Sequence, residues 1–329
     1  MEKRTISSIY PERFLEFMSG VKRWKNLPMQ ENLRNVQRFF TWYEQGRVLE
    51  YVEDIQLRDI MDYMIYLSKQ PAWPTSRTPW GLLAPSTIQH NINSIKNFFK
   101  FTNSYYDCGL EATRIISPKV PKNKVNFLTY EEILWLVNHI QTTADRQDSM
   151  MRDLLLVKVA FTTWMRKSEI ANLKFTDILH AQNEIQIIGK WDKVRTVFFT
   201  DSLKRDIFEY REMRRNPRQW SKRAPTSPCD DQDYIFICHS DPYYWKPLSS
   251  QSLHTTIKQY ESAFKEVFFH WFSLHSFRHW FATEAIKAGT QLAYLKELLW
   301  HSDISTTMWY IHLNNSELYK ARKSIPKLE

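Results

Sequence analysis

His275, Arg278 and His279, in the segment His275-Ser-Phe-Arg278-His279, stand at i, i+3 and i+4. On a helix they share one face and can reach one anionic group. Further along, Leu298-Leu-Trp-His301 and Thr306-Thr-Met-Trp-Tyr310-Ile-His312 place a tyrosine nine residues after His301. Upstream, Thr163-Trp-Met-Arg166-Lys-Ser168-Glu169 offers a second arginine with a carboxylate three residues on. These residue types suit metal-free attack on a phosphodiester. That chemistry needs an in-line nucleophile, cationic donors on the non-bridging oxygens and an acid for the departing 5′ oxygen. Arginine fits the second task, because its planar fork holds two phosphate oxygens and stays charged at any working pH. Arg166 and Arg278 would oppose the charge that builds on a pentacoordinate phosphorus. Tyr310 would be the nucleophile. A phenol has an unperturbed pKa near ~10 and needs nearby cations to react at neutral pH; the two arginines with His275 and His301 would provide them. Tyr319, in the polar tail, is the weaker rival among sixteen tyrosines. His279 would orient a neighbour or simply pack. Glu169 would fix Arg166 or a histidine from behind; its plain alternative is an ordinary acid on a helix surface.

The order Arg166, His275-x-x-Arg278, His301, Tyr310 resembles the tyrosine-type site-specific recombinases, the phage-integrase and Xer family, whose pattern runs Arg, Lys, His-x-x-Arg, His, Tyr. The resemblance implies an active-site lysine in a β-turn. Lys190, in Gly189-Lys190-Trp191, takes that place, with Lys193 as the competing candidate. It implies a fold that is mainly α with a small β-sheet: an N-terminal helical bundle, a SAM-like core-binding domain, followed by a mixed α/β catalytic domain. It implies double-stranded DNA as partner, cleavage through a 3′-phosphotyrosyl link, and a freed 5′ hydroxyl that attacks the partner's link. Four protomers, a homo-tetramer on two sites, would exchange strands through a Holliday junction. The tail Asn314–Ala321 looks like the helix that docks on a neighbouring subunit. No cofactor and no metal are implied. Two other functions share parts of this pattern: a type IB topoisomerase, which swivels and reseals one duplex, and a non-catalytic DNA-binding relative. The chain has no room for a separate arm-binding domain ahead of the bundle, which leans toward the simpler Xer-like type.

The elements that must position these residues are legible in outline. Leu33, Val36, Phe40 and Tyr43 recur at three- and four-residue steps, one apolar helical stripe. Ile55–Leu67 carries another amphipathic stretch, and residues 71–85 read as a proline-rich loop. Ser86-Thr-Ile-Gln89 reads as a capping box opening a helix with Ile88, Ile92, Ile95 and Phe99 inward. The helical DNA-binding domain is expected over 1–117, a lysine- and proline-rich linker over 118–126, and the catalytic domain over 127–329. Thr129-Tyr-Glu-Glu132 is a second capping box, and Leu154–Phe161 a buried helix leading to Arg166. Glu184–Ile188 and Val194–Phe199 read as a β-hairpin around Lys190, and 233–238 as a third short strand. Residues 204–223 hold eight basic and three acidic side chains, a solvated helix and loop close to DNA. Helix is expected again after Ser250.

Composition agrees with a folded chain large enough for two cores: 329 residues, 43% apolar, 25% charged. Net charge is +9, from 45 basic and 36 acidic side chains, which favours a polyanionic partner. Cys108, Cys229 and Cys238 show no metal spacing, and only a weak zinc possibility with His239 arises. The charged start Met1-Glu-Lys-Arg-Thr and the absence of any run near the ~20 apolar residues a membrane helix needs lead us to expect a cytoplasmic protein with no membrane partner.

One departure from the resemblance is systematic. Trp164, Trp191, Trp245 and Trp300 stand where the family pattern has glycine, and the chain holds thirteen tryptophans against six glycines. Tryptophan cannot take φ > 0 cheaply or allow close backbone approach. A source that reads UGA as glycine, translated on paper with UGA as tryptophan, would produce this pattern. The codons decide it: UGA at these positions is expected, and UGG at all four would exclude the idea.

Overall fold

The computed structural model describes residues 5–21, 26–72, 81–120, 128–144, 146–179, 183–188, 194–215, 234–239 and 244–299. The chain falls into two compact units, Met1–Asn123 and Lys124–Glu329.

The helices of the first unit are α1 (Ile6–Ile9), α2 (Glu12–Glu16), α3 (Asn26–Tyr43), α4 (Leu57–Ser68) and α5 (Pro85–Tyr106), with a π turn at Phe17–Val21 and 3-10 turns at Val52–Asp54 and Ala112–Arg114; no strand is found among its described residues. Leu33, Val36, Phe40 and Tyr43 of α3 are buried, as are Ile88, Ile92, Ile95 and Phe99 of α5. Much of this core is aromatic. Tyr10 meets Phe40 edge to face at 5.0 Å, and Phe40 meets Phe98 the same way at 5.4 Å, a geometry that sets the positive ring edge on the negative face. Two amide pairs stitch α3 to α5: Asn35 donates to Ser94 Oγ at 3.0 Å, and Asn97 to Asn32 Oδ1 at 3.2 Å. The capping box expected at Ser86 does not form. Helix α5 begins two residues earlier, with Ala84 as cap and Pro85 in the first turn. Proline's fixed φ and missing N–H suit that position, so Ser86 lies inside the helix.

The second unit opens with the capping box at Thr129: its Oγ1 accepts from the Glu132 amide at 3.2 Å, and Glu132 Oε2 accepts from the Thr129 amide at 2.7 Å. Then follow α6 (Tyr130–Thr143), α7 (Gln147–Thr163), α8 (Lys167–Ala171) and α9 (Phe175–Leu179). Strands β1 (Glu184–Ile188) and β2 (Val194–Phe198) pair antiparallel, with Glu184 opposite Phe198 and Ile188 opposite Val194. Helices α10 (Asp201–Arg215), α11 (Ser250–Lys258), α12 (Glu261–Phe268), α13 (Leu274–Lys287) and α14 (Leu292–Leu299) complete it. Helix α7 is the hub: Leu155, Leu156, Val157, Val159 and Ala160 are at most 2% exposed within one continuous core.

Two expectations fail here. Residues 234–238 are not a strand. Tyr234 bridges Lys174 and Ile237 bridges Pro247, one rung each, against two different loops. Ile235, Phe236 and Ile237 are all fully buried, so the apolar run reflects burial on every side rather than one face of a sheet. Helix α10 is also not simply a solvated basic face. Leu203, Ile207, Tyr210 and Met213 line its core side, and Arg214 is fully buried. The Arg214 Nη1 donates to the carbonyls of Tyr234 and Ile235 at 2.6 and 2.9 Å, with its guanidinium over the Phe175 ring. Residues 216–223 of that basic segment lie outside the described residues.

Candidate active site

The site is built around one turn. Helix α7 ends at Thr163, and Trp164 follows in the left-handed region at φ 51°, ψ 24°. That reversal ends the helix where glycine would ordinarily stand and lets Arg166 cap α8 in an extended conformation. The Arg166 amide donates to Glu169 Oε2 at 2.7 Å, and Arg166 Nη1 to Glu169 Oε1 at 3.1 Å.

Ser273 caps α13, its amide donating to Ser276 Oγ at 3.0 Å, and this helix delivers His275, Arg278 and His279. Arg278 is 3% exposed, and its Nη1 donates to the Trp164 carbonyl at 2.8 Å. The second arginine is therefore held by the backbone two residues ahead of the first. Around His275, which stands partly in solvent, crowding by protein lowers the pKa first, followed by the charges of Arg278, Arg166 and Lys167. His279 packs edge to face on His275 at 5.9 Å, and burial, with His275 and Arg278 adding to it, pushes its pKa down to about 4. Both rings are thus neutral at neutral pH.

Glu169 is deeply buried, yet its pKa lies below the ordinary value. Burial pushes it up; the charge and hydrogen bond of Arg195 and the bonds from Arg166 more than offset that. The structure therefore gathers Arg166, Glu169, His275, Arg278 and His279. Lys190, His301 and Tyr310 lie outside the described residues, as do Lys193, Tyr319, Trp191 and Trp300.

Sequence reasoning missed two groups. Arg195, on β2, donates to Glu169 Oε2 at 2.6 Å. The signal was present: in Val194–Phe198 the period of two that turns Val197 inward turns Arg195 inward as well. The other is a buried network on α7 and the 234–248 segment. His239, 2% exposed, faces Asp148 through Nδ1 at 3.4 Å and Tyr210 Oη through Nε2 at 2.8 Å. With Nδ1–H directed at the carboxylate and Nε2 accepting from the phenol, both ring nitrogens serve the protein. Burial pushes the Asp148 carboxyl up, but His239 and Arg146 more than offset it and hold it well below the usual range. Burial lowers His239.

The tryptophans at expected glycine positions are informative. Trp245, like Trp164, is left-handed, at φ 64°. Its indole N–H is buried without a hydrogen-bond partner among the described residues. The Trp164 ring lies on Phe281 with centroids 3.3 Å apart.

Comparison with known proteins places this geometry in context. The model of the phage integrase family matches residues 126–317. Among curated proteins, the chain is 29% identical over 278 residues to a tyrosine recombinase XerC of Roseiflexus sp. (strain RS-1), covering 83% of this chain and 80% of that one. It is 26% identical over 311 residues to a tyrosine recombinase XerC of Lactobacillus delbrueckii subsp. bulgaricus, covering 93% and 95%. Among solved structures, XerH bound to a palindromic difH substrate after cleavage aligns with a TM-score of 0.65 at 17% identity, over 95% of this chain and 83% of that one. A lambda integrase dimer bound to a core site aligns with a TM-score of 0.61 at 12% identity, over 93% and 95%. At these identities the structural matches speak to fold alone.

Two expectations follow from the site. A left-handed backbone costs a non-glycine residue roughly 1–2 kcal/mol, so Trp164→Gly should keep the fold, whereas the β-branched Trp164→Val should melt at a lower temperature than Trp164→Gly. The depressed histidines also make stability pH-dependent. An unfolded His279 takes up its proton near 6.5, so the stability of the neutral folded form is complete above that pH and is lost as pH falls toward the folded value. From that shift the loss amounts to about 2 kcal/mol by pH 5. Thermal melts from pH 7.5 to 5 should show the fall, and His279→Gln should reduce it.

Proposed function

Because this chain belongs to the phage integrase family, whose model spans more than half of it, we propose that it is a site-specific tyrosine recombinase that cleaves and rejoins double-stranded DNA. One observation carries the chemistry: the Arg278 guanidinium is tied at 2.8 Å to the carbonyl of Trp164, two residues ahead of Arg166. Two permanent cations are thereby held to one turn, with neutral His275 within reach of both charges.

In this reading Arg166 and Arg278 hold the non-bridging oxygens of the scissile phosphate, together with His301. The Tyr310 oxygen attacks phosphorus as the bond to the 5′ oxygen breaks, leaving a 3′-phosphotyrosyl link. Neutral His275 is competent to take the phenolic proton, and Lys190 to give a proton to the departing 5′ oxygen. Glu169 holds Arg166 in place and His279 packs behind His275. Rejoining reverses these steps with the 5′ hydroxyl of a partner strand. The first unit would be the core-binding domain, with the chain between the two units crossing the DNA backbone. Four protomers on two sites would exchange one strand pair at a time through a Holliday junction, in the cytoplasm where the DNA lies. Among the described residues no helix is long and apolar enough to cross a membrane.

A duplex nicked just 3′ of its cleavage position, so that the short fragment carrying the freed 5′ hydroxyl diffuses away, should trap a covalent protein–DNA adduct. Tyr310→Phe should abolish it. Arg278→Ala should slow it by about 10²–10³-fold, the cost of one donor to a developing anionic oxygen. No adduct from the unmutated chain would leave a non-catalytic DNA-binding relative. Relaxation of supercoils without exchange between two sites would indicate the topoisomerase class.

A further inference from the structure

Arg195 has no place in the catalytic pattern, yet it is only 7% exposed on β2. Its Nη2 donates to Glu169 Oε2 at 2.6 Å and its Nη1 to the Leu298 carbonyl at 3.3 Å. Arg166 repeats the arrangement, with Nη1 on Glu169 Oε1 at 3.1 Å and Nη2 on the Leu299 carbonyl at 3.5 Å. One carboxylate thus gives an oxygen to each guanidinium, and each guanidinium turns its other nitrogen to consecutive carbonyls at the end of α14. Among the described residues of α14 no later amide reaches those carbonyls, and a cation is favoured at the carbonyl end of a helix. Leu298 and Leu299 are the last described residues of α14, and His301 and Tyr310 follow them in the sequence.

We propose that Arg195 is a positioning residue for strand cleavage: with Glu169 it binds Arg166, the β-hairpin and the C-terminus of α14 into one unit, without touching the phosphate. The proposal rests on the recombinase reading. It gives Glu169 a wider task than fixing Arg166, since its second oxygen holds the strand that leads back to the Lys190 turn. The charged and titratable groups facing Glu169 are Arg166 on its own turn, Arg195 on β2 and His275 on α13. Losing the Arg195 charge removes a principal cause of the low Glu169 pKa.

The test uses the full chain as Arg195→Lys and Arg195→Met, with the nicked duplex as probe. A single ammonium keeps the charge but cannot serve both Glu169 and Leu298 in the geometry of the fork. Arg195→Lys should therefore bind the duplex as tightly as the unmutated chain but form adduct about 10–100-fold more slowly, the scale of an ångström-level misplacement. Hydrogen exchange should quicken across 292–299 and stay unchanged across α7. In Arg195→Met the acid limb of the rate profile should move to higher pH, as Glu169 loses its partner; in Arg195→Lys it should not. An Arg195→Lys rate equal to the unmutated one, or a parallel loss of DNA binding and adduct, overturns the proposal. So does an acid limb that stays fixed in a folded Arg195→Met. If Arg195→Met does not fold, the Arg195→Lys rate and exchange decide. If the unmutated chain forms no adduct, the recombinase reading fails, and unchanged exchange across 292–299 in Arg195→Lys would separately refute the role of Arg195.

Discussion

One buried carboxylate organises the candidate site of the second unit. Glu169 takes a guanidinium on each oxygen, Arg166 at 3.1 Å and Arg195 at 2.6 Å. A lone buried anion would be costly, and so would the buried Arg195 cation; with the half-buried Arg166 they satisfy one another, and removal of Glu169 or Arg195 leaves the other a buried charge short of a partner. Because Arg166 caps α8, Arg195 sits on β2 and both reach the carbonyls of Leu298 and Leu299, the ion cluster joins three pieces of chain. Its worth lies in register more than in net stability. It sets where Arg166 points.

The second constraint is a backbone one. The left-handed turn at Trp164 ends α7, releases Arg166 to cap α8 and aims its own carbonyl at Arg278. Helix end and arginine pair are thus one feature. A residue with no Cβ would take this conformation without strain, yet the chain carries its bulkiest side chain there and again at Trp245. The family pattern and the backbone angles point independently to the same positions as places suited to glycine. Trp245 adds a buried indole N–H with no partner among the described residues, a polar group that a glycine would not have brought into the interior.

Away from the site, the buried polar groups do a different job. The Arg146, Asp148, His239 and Tyr210 network and the fully buried Arg214 fasten the irregular segment 234–248 to helices α7 and α10. That segment forms isolated bridges closed by a few backbone hydrogen bonds, Ile235 to Leu173, Cys238 to Lys246 and Leu248 to Phe236, and the side-chain hydrogen bonds add to that anchoring.

Much of this was readable beforehand, and the failures share a cause. Helices α3 and α5, the Thr129 cap and the hairpin follow from local rules: apolar residues at helical spacing, a Thr and Glu three apart, alternation around a turn. The grouping of His275 with Arg278 needed only a helix. What local rules misjudged were places where a distant partner decides. Residues 234–238 looked like a strand because they are apolar, but burial from all sides produces the same composition. Arg214 looked solvated because arginine usually is, until the carbonyls of Tyr234 and Ile235 gave its charge somewhere to go. Arg195 lay in an alternating pattern that turned it inward, but nothing within the strand named Glu169, 26 residues earlier, as the counter-charge. Residue identity and spacing were enough to determine the chemistry this chain carries and the family it belongs to. Which carboxylate holds which guanidinium, and which carbonyls close the helix behind them, was settled only by tertiary structure, because a buried charge takes its partner from whatever the fold brings within a few ångströms.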